Sequence, residues 1–284
     1  MPEPLVVYTD LDGTLLDHFT YDWSPAAPVL DRLARLGVPV VMVTSKARGE
    51  VSELAQALDN PHPYIVENGA ISVIPAGYFG EAGIHPRGPR EPVDVQYHGP
   101  TRAQLTDQIL QLRERLGIKF ETFGELGYGG IAEHTGLSLQ AAAKADDREA
   151  SEPLLWLEED PIELVRFRQA LRERDLNCVR GGRFVHVLGP VDKARSVAMM
   201  HGQYERRLAR APRRVVLGDG PNDLAMLGQA DVAVVIPGHH DQDMTLPEGA
   251  RAEVLRPSHA GPKGWAEAME DVLERYGYDE TSGE

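Results

Sequence analysis

The N-terminal third of the chain alternates between short apolar runs and longer segments with helical spacing. Apolar runs occur at Leu5–Thr9, Val38–Val43 and Tyr64–Val66, and each has the length of a strand buried on both faces. Between the first two runs, Val29 and Leu33 are apolar and four residues apart, which predicts an amphipathic helix. This alternation of strand and helix predicts a parallel sheet with crossover helices.

The same alternation returns near the C-terminus, after a middle segment that is organised differently. A Pro- and Gly-rich stretch from Pro75 to Pro100 interrupts the pattern, and separate helix and strand patterns follow it. The middle segment is as large as a domain. We therefore predict an α/β core formed by residues 1–84 and 187–284, with an inserted α+β domain at residues 85–186.

The composition narrows the classes of partner. The net charge of −15 disfavours nucleic acids and anionic membranes, because both attract basic surfaces. The longest apolar run, Val38–Val43, is too short to cross a bilayer, and the first residues do not resemble a secretory signal. Cys178 is the single cysteine, so no internal disulfide forms. We expect a cytoplasmic protein whose partner is a small molecule, and the oligomeric state stays open.

Four separated groups of polar residues lie at predicted strand ends or at the start of a predicted helix. In chain order they are Asp10-Leu11-Asp12-Gly13-Thr14, Thr44, Lys193 and Gly218-Asp219-Gly220-Pro221-Asn222-Asp223. Ligands of open α/β sheets bind at the carboxyl edge of the strands. Asp10, Asp12 and Asp219 would form an unfavourable cluster of negative charge there, which a hard divalent cation such as Mg²⁺ relieves.

These residue types suit the transfer of a phosphoryl group. Asp10 beside a metal ion can attack phosphorus and form an aspartyl-phosphate, and Asp12 can protonate the leaving alcohol and later deprotonate water. The Thr44 hydroxyl and the Lys193 ammonium can stabilise the phosphoryl oxygens. Taken singly, each residue also has a structural explanation, as part of a turn, as a helix cap or as a solvated lysine. The order and placement of all four groups favour catalysis.

The four groups resemble the four motifs of the haloacid dehalogenase superfamily. The resemblance implies a Rossmann-like core and Mg²⁺ held by Asp10, by the backbone carbonyl of Asp12 and by Asp219. It also implies that Asn222 and Asp223 support the metal ion or the phosphate. In this superfamily, an insertion between the second and third motifs is a C2-type cap that reads the leaving group of the substrate.

Further segments are similar to the mannosyl-3-phosphoglycerate phosphatase family, in the core and in the cap. These segments are Thr44–Arg48, Glu67–Ala70, Arg148–Pro153, Gly181–His186 and Gly261–Trp265. The resemblance implies hydrolysis of mannosyl-3-phosphoglycerate to phosphate and mannosylglycerate, which is a compatible solute. It also implies a set of side chains that bind the anionic and hydroxyl groups of the substrate: Lys46, Arg48, Asn68, Arg148, Ser151, Arg183, His186 and Asn222.

Three alternatives stay open. Glucosyl-3-phosphoglycerate, sucrose phosphate or another sugar phosphate suits the same cap, because one axial hydroxyl changes only one or two hydrogen bonds. A phosphomutase would share the aspartyl-phosphate but return the phosphoryl group to a sugar. A non-catalytic binding protein is a third alternative, and the intact acidic motifs argue against it.

The adjacent His239 and His240, in the loop Gly238–Ala250, are interpreted as solvated rather than as a metal site.

Overall fold

Two main β-sheets organise the chain in a computed structural model, which describes residues 2–80, 83–86, 92–181, 183–238 and 244–278. The strands are β1 (Leu5–Thr9), β2 (Val40–Val43), β3 (Tyr64–Val66), β4 (Ile71–Pro75), β5 (Phe79–Gly80), β6 (Gly83–Ile84), β7 (Val93–Tyr97), β8 (Phe120–Thr122), β9 (Ser151–Trp156), β10 (Asn177–Arg180), β11 (Val185–Leu188), β12 (Arg213–Gly218), β13 (Val232–Val235) and β14 (Glu253–Leu255). The helices are α1 (Ala27–Arg35), α2 (Arg48–Ala57), α3 (Arg102–Leu116), α4 (Phe123–Thr135), α5 (Leu139–Asp146), α6 (Pro161–Arg172), α7 (Lys193–Arg207), α8 (Leu224–Leu227) and α9 (Gly261–Arg275). Short 3-10 helices lie at Ser24–Ala26, Glu67–Gly69 and Pro221–Asp223.

The larger sheet has the strand order β14-β13-β12-β1-β2-β3-β4-β7. Neighbouring strands from β14 to β3 are parallel, and β4 and β7 are added antiparallel at one edge. β1 lies between β12 and β2, so the carboxyl ends of these three strands are side by side. The predicted α/β fold class is confirmed, and its ligand-binding edge lies where β1 meets its two neighbours.

Alternate residues of the central strands enter two different apolar cores. Val7 of β1 belongs to the core formed with α1 and α9, whereas Val6 and Tyr8 belong to the core formed with α7 and α8. A parallel strand that is covered on both faces needs apolar side chains at successive positions. This explains why β1 and β2 are buried along their whole length.

The smaller sheet is antiparallel, with the order β10-β11-β9-β8. Helices α3 and α6 pack with it through a core that includes Leu105, Phe167 and Val187. A smaller cluster joins Phe123 of α4 to Phe184. These elements form an α+β unit within the inserted segment.

Sheet membership and the predicted domain limits differ at two strands. β7 belongs to the larger sheet, although it lies within residues 85–186, and the whole of β11 belongs to the smaller sheet, although the predicted limit falls inside it. The division into residues 1–84 with 187–284 and residues 85–186 stays a prediction.

The sequence pattern did not reveal β4, β5, β6, β7, β10 or α4. β7 lies in the Pro- and Gly-rich stretch and forms an exposed sheet edge, where alternation carries little signal. Helix α4 contains four glycines and is kinked at Gly127, and glycine lowers helix propensity. The sequence does contain one local signal for the start of α4 that was missed, the capping box formed by Thr122 and Glu125.

His239 and His240 lie outside the described residues. Among the residues that are described, no helix has both the length and the apolar composition needed to cross a membrane.

Candidate active site

Side chains from three of the four polar groups lie at the carboxyl edge of the larger sheet. Asp10 directly follows β1, Thr44 follows β2 and Asp219 follows β12. The backbone N–H of Asp10 donates to the carbonyl of Leu217 at 3.0 Å, so β1 and β12 stay paired up to the acidic residue. Lys193, from the remaining group, is the first residue of α7. The fold therefore brings together groups that are far apart in the chain.

Lys193 connects the first acidic group to the last one. Its ammonium donates to Asp10 Oδ1 at 2.5 Å and to Asp223 Oδ1 at 2.8 Å. The other carboxylate oxygen of Asp223 accepts hydrogen bonds from the backbone N–H groups of Asp219 and Gly220, both at 3.2 Å. Lys193 and Asp223 are buried, so water screens their charges weakly. Asp10, Lys193 and Asp223 are thus held as one unit.

The turn after β1 orients Asp219. Gly13 has a φ of +86°, and a Cβ at this position would lie 2.4 Å from Asp219 Oδ2. Glycine alone avoids both the strained backbone and the clash. The Thr14 hydroxyl donates to Asp219 Oδ1 at 3.1 Å. The glycine and the threonine of the first motif therefore act on a carboxylate delivered by β12.

Three of these carboxylates form a set of oxygen donors that suits a divalent cation. Asp10, Asp219 and Asp223 each offer one oxygen within 4.8 Å of the others. Burial raises the pKa of Asp10, and the negative charges of Asp223 and Asp219 raise it further, although Lys193 opposes the shift. Burial and the charge of Asp223 raise the pKa of Asp219 to about 7. Because one ammonium cannot balance three carboxylates, an oxygen-seeking cation such as Mg²⁺ fits this site.

The Asp12 carboxylate points elsewhere. Its Oδ2 pairs with Lys46 Nζ at 2.9 Å, and Lys46 also lies 4.6 Å from the centre of the Tyr21 ring. Although burial opposes the change, the charges of Asp12 and Glu50 raise the pKa of Lys46. Asp12 Oδ1 is buried and has no hydrogen-bond partner among the described residues. This carboxylate is therefore not one of the three that could hold a cation together. If Asp12 binds the metal ion, it does so through its backbone carbonyl.

The segment after β2 is held by the tight turn after β3. Thr44 is buried, and its hydroxyl accepts a hydrogen bond from the backbone N–H of Lys46 at 3.2 Å. The N–H groups of Glu67 and Asn68 donate to the carbonyls of Lys46 and Thr44 at 3.0 Å and 2.9 Å. The orientation of the Thr44 hydroxyl therefore depends on the neighbouring strand connection.

Arg148 enters the site from the inserted unit. It is buried, and its guanidinium donates to the Ser151 hydroxyl at 3.2 Å and to the Ser45 carbonyl at 3.1 and 2.5 Å. None of these hydrogen-bond partners carries a charge. The Ser151 hydroxyl in turn donates to Glu67 at 2.6 Å. Ser151 is thus engaged within the protein, between Glu67 and Arg148.

Asn68 and His186, which were also expected to bind substrate, differ from Arg148 and Ser151 because each has a buried polar atom that is left unsatisfied. Neither Asn68 Nδ2 nor His186 Nδ1 has a hydrogen-bond partner in the described part of the chain. Burial lowers the pKa of His186 to about 3, and the positive charges of Arg148 and Lys193 contribute. His186 is therefore neutral near pH 7, and its ring nitrogen can serve a neutral or anionic oxygen of a ligand, depending on its tautomer.

The remaining expected substrate residues are less directly placed. Arg48 forms an ion pair with Glu149 at 2.6 Å, along the seam between the two sheets. Arg183 is exposed and donates to the backbone carbonyl of His134. Asn222 is half-buried in the short helix Pro221–Asp223, beside the acidic loop. Their contribution to substrate binding stays a prediction.

Two residues of the quoted segments support the site, although their individual roles were not predicted. Glu67 is fully buried and accepts hydrogen bonds from residues of the inserted unit. Trp265 is also fully buried, and its indole N–H donates at 3.0 Å to the hydroxyl of Thr9, the residue before Asp10. Apart from its place in the segment Glu67–Ala70, the sequence contained no signal for the role of Glu67, because its burial depends on contacts with the inserted unit.

Comparisons with known proteins gave a family match to the N-terminal part of the chain and fold matches to the whole of it. Residues 7–77 match the family model described as haloacid dehalogenase-like hydrolase. The whole chain is similar in fold to solved structures, of which the phosphatase BT1666 from Bacteroides thetaiotaomicron has 17% identity and a TM-score of 0.66, over 98% of this chain and 96% of that chain.

Two further structures show the same similarity. A haloacid dehalogenase-like hydrolase from B. subtilis has 18% identity and a TM-score of 0.62, over 94% of this chain and 99% of that chain. The subclass IIB sugar phosphatase BT4131 has 16% identity and a TM-score of 0.62, over 97% of this chain and 100% of that chain. Residues 7–77, which contain the first two motifs, thus match the haloacid dehalogenase-like hydrolase model, and the chain as a whole shares its fold with these solved structures.

Proposed function

We propose that the protein is a phosphatase that hydrolyses phosphate monoesters through an aspartyl-phosphate on Asp10. The observation that carries this proposal is the contact of Lys193 Nζ with Asp10 Oδ1 at 2.5 Å, beside the carboxylates of Asp219 and Asp223. This arrangement supplies a nucleophile, a fixed positive charge for phosphoryl oxygens, and ligands for a divalent cation.

Two residues carry the proposed chemical steps. Asp10 attacks phosphorus while the bond to the leaving oxygen breaks, and Asp12 gives its proton to that oxygen. Asp12 then takes a proton from water, which attacks phosphorus, breaks the bond to Asp10 and releases phosphate. Asp12 Oδ1 has no partner among the described residues, so it is available for these proton transfers. Mg²⁺ held by Asp10, Asp219 and Asp223 would supply positive charge that neutralises the carboxylates and the phosphoryl oxygens.

We propose mannosyl-3-phosphoglycerate as the substrate. The support is the buried guanidinium of Arg148, whose hydrogen-bond partners are uncharged, together with the unpartnered Asn68 Nδ2 and His186 Nδ1. A buried cation needs a negative partner, and a carboxylate meets an arginine with two parallel hydrogen bonds. A leaving group that carries a carboxylate and hydroxyls would satisfy these three side chains. The reaction would then supply a compatible solute in the cytoplasm.

A comparison of substrates tests this proposal. The purified protein would be assayed with Mg²⁺ on mannosyl-3-phosphoglycerate, glucosyl-3-phosphoglycerate, sucrose phosphate, a hexose phosphate and p-nitrophenyl phosphate. We expect the highest kcat/KM on mannosyl-3-phosphoglycerate. A higher value on a substrate without a carboxylate would refute the substrate and leave the phosphatase assignment intact.

The same assay separates the remaining alternatives. A phosphomutase would convert a sugar phosphate into an isomer of equal mass, would require a bisphosphate, and would release little phosphate. A binding protein would release no phosphate from any of these compounds. The arrangement of the acidic residues and Lys193 suits turnover, which favours an enzyme over a binding protein.

A further inference from the structure

We propose that Glu67 is a positioning residue, which holds Arg148 of the inserted unit in register with the segment after β2 and so sets recognition of the leaving group. The inference rests on the proposed function, because it concerns how the same site binds its substrate. Glu67 touches neither the acidic cluster nor, by this proposal, the substrate. It acts through Ser151 and Arg148.

The backbone at Glu67 is strained. Glu67, Asn68 and Gly69 have φ values of +52°, +58° and +102°, so three successive residues are in the left-handed region. This conformation is unfavourable for a non-glycine residue, and such strain persists where surrounding contacts enforce it. Here the strained turn keeps the Glu67 and Asn68 N–H groups on the carbonyls of Lys46 and Thr44.

The Glu67 side chain reaches from this turn to the inserted unit. Its carboxylate accepts hydrogen bonds from the backbone N–H of Glu149 at 2.9 Å, from the backbone N–H of Ala150 at 3.1 Å and from the Ser151 hydroxyl at 2.6 Å. Its exposed fraction is 0%. A carboxylate bound by three donors away from water is firmly placed, because each charge-assisted hydrogen bond is strong there.

Arg148 is hydrogen-bonded both to Ser151, which contacts Glu67, and to Ser45 in the segment after β2. Its Nε donates to the Ser151 hydroxyl, which donates to Glu67, and its terminal nitrogens donate to the Ser45 carbonyl. The guanidinium therefore has its position defined by Glu67 from one side and by the segment of Thr44 from the other. Movement of the inserted unit against the core would change both contacts together.

Another ion pair joins the inserted unit to the core without touching Arg148. On the protein surface, Lys144 of α5 pairs with Glu53 of α2 at 2.7 Å. Glu53 is exposed and lies in the same helix that follows the second motif. Glu53→Gln is therefore a matched control, since it removes one carboxylate that links the two units but leaves Arg148 and its partners intact.

A double-mutant cycle tests the proposal. kcat/KM would be measured on the best anionic substrate and on p-nitrophenyl phosphate for wild type, Glu67→Gln, Arg148→Lys and the double variant. We expect Glu67→Gln to lose about 10- to 100-fold on the anionic substrate, mainly through KM, because its amide cannot accept from all three donors. The loss on p-nitrophenyl phosphate should be about tenfold smaller.

Coupling between the two residues is the decisive result. If Glu67 acts through Arg148, the double variant should be no worse than Arg148→Lys by more than about threefold, because the two changes remove the same interaction. Additive losses, or equal losses on both substrates, would mean that Glu67 has only a structural role. Glu53→Gln should change kcat/KM less than twofold on either substrate.

One further variant and a choice of substrate keep the test decisive. Ser151→Ala breaks the same link through a smaller change, and it replaces Glu67→Gln in the cycle if that variant does not fold. Failure of mannosyl-3-phosphoglycerate as substrate appears already in the wild type, and the cycle then uses whichever phosphorylated acid is hydrolysed best. A wild type that hydrolyses no phosphorylated acid faster than p-nitrophenyl phosphate would overturn the proposed substrate and the proposed role of Glu67, and would leave the phosphatase assignment intact.

Discussion

Asp10 lies in surroundings that oppose its own charge unless a cation is present. It is buried, and the carboxylates of Asp219 and Asp223 lie next to it with one ammonium, that of Lys193, among the three. Burial and like charges destabilise the ionised forms in the absence of a divalent cation. The site is therefore arranged for reactivity at a cost in stability, as is common for functional sites.

Replacement of Asp10 by asparagine separates these two effects. We expect Asp10→Asn to lose at least about 1000-fold in kcat, because the amide is a poor nucleophile. The same variant should unfold at a higher temperature than wild type in the presence of EDTA, because one buried negative charge is removed. Thermal unfolding followed by circular dichroism checks this. A lower midpoint would indicate that the ion pair with Lys193 contributes more than the repulsion costs.

His62 offers a second prediction, on the pH dependence of stability. It is buried, its Nδ1 lies 2.7 Å from the Tyr78 hydroxyl, and burial lowers its pKa from 6.5 to about 4. Between these two pH values the unfolded chain binds the proton and the folded chain does not. The free energy of unfolding should therefore fall as the pH decreases from about 6.5 to 4, by roughly 3 kcal/mol for this residue alone.

Urea denaturation at a series of pH values checks this prediction. His62→Gln, which does not titrate, should show a smaller loss of stability between pH 6.5 and 4 than wild type. Replacement of the exposed His134 by glutamine serves as the control and should leave the wild-type dependence unchanged. An identical pH dependence for His62→Gln and wild type would contradict the assignment.

At the scale of elements, the site depends on how helix and strand connections pack at the carboxyl edge. The turn Glu67–Gly69 lies against the start of α7, which carries Lys193. A Cβ at Gly69 would lie 2.3 Å from the backbone carbonyl oxygen of Asp192. The close approach of these two backbones fixes the first turn of α7 relative to β3 and β4.

Gly69→Ala tests this packing. Gly69 has a φ of +102°, so alanine there suffers both backbone strain and a clash, and the free energy of unfolding should fall by more than about 3 kcal/mol. Gly117, at the end of α3, has a φ of +66° with open space around it, and its alanine variant should lose only about 1–2 kcal/mol. Equal losses in urea denaturation would show that the contact with Asp192 is easily relieved.

At the scale of the whole molecule, the acidic cluster connects segments from both ends of the chain. Asp10 follows β1, whereas Asp219 and Asp223 follow β12, and these strands pair along their length. A cation bound by all three would stabilise the folded chain, because the unfolded chain cannot hold the ligands together.

Magnesium should therefore raise the unfolding temperature of the wild-type protein. At a concentration 100 times the dissociation constant, the stabilisation is about 2.7 kcal/mol. Calorimetry or fluorescence-detected unfolding with increasing Mg²⁺, starting from protein treated with EDTA, measures the effect. Asp219→Asn should show less than half of the shift. An equal shift in wild type and variant would place the bound cation elsewhere.

The predictable part of the fold came from local patterns. β1 and β3 have the predicted bounds, because a strand buried on both faces needs apolar residues at successive positions and so appears in the sequence as an unbroken apolar run. Helix α7 begins within one residue of its expected start, since Asp192 supplies an N-cap. β7 and α4 did not follow from such patterns, because an exposed edge strand and a glycine-rich helix depend on tertiary contacts more than on their own residues.

The sequence by itself determined which residue types are available for chemistry and at which strand ends they occur, because motif spacing and apolar runs are local properties. Tertiary structure alone decided that the Asp12 carboxylate turns to Lys46 while Asp223 joins Asp10 and Asp219. It also decided that Glu67 holds the inserted unit. These arrangements depend on distances between segments that only the packed sheets and helices set, and no local pattern encodes such distances.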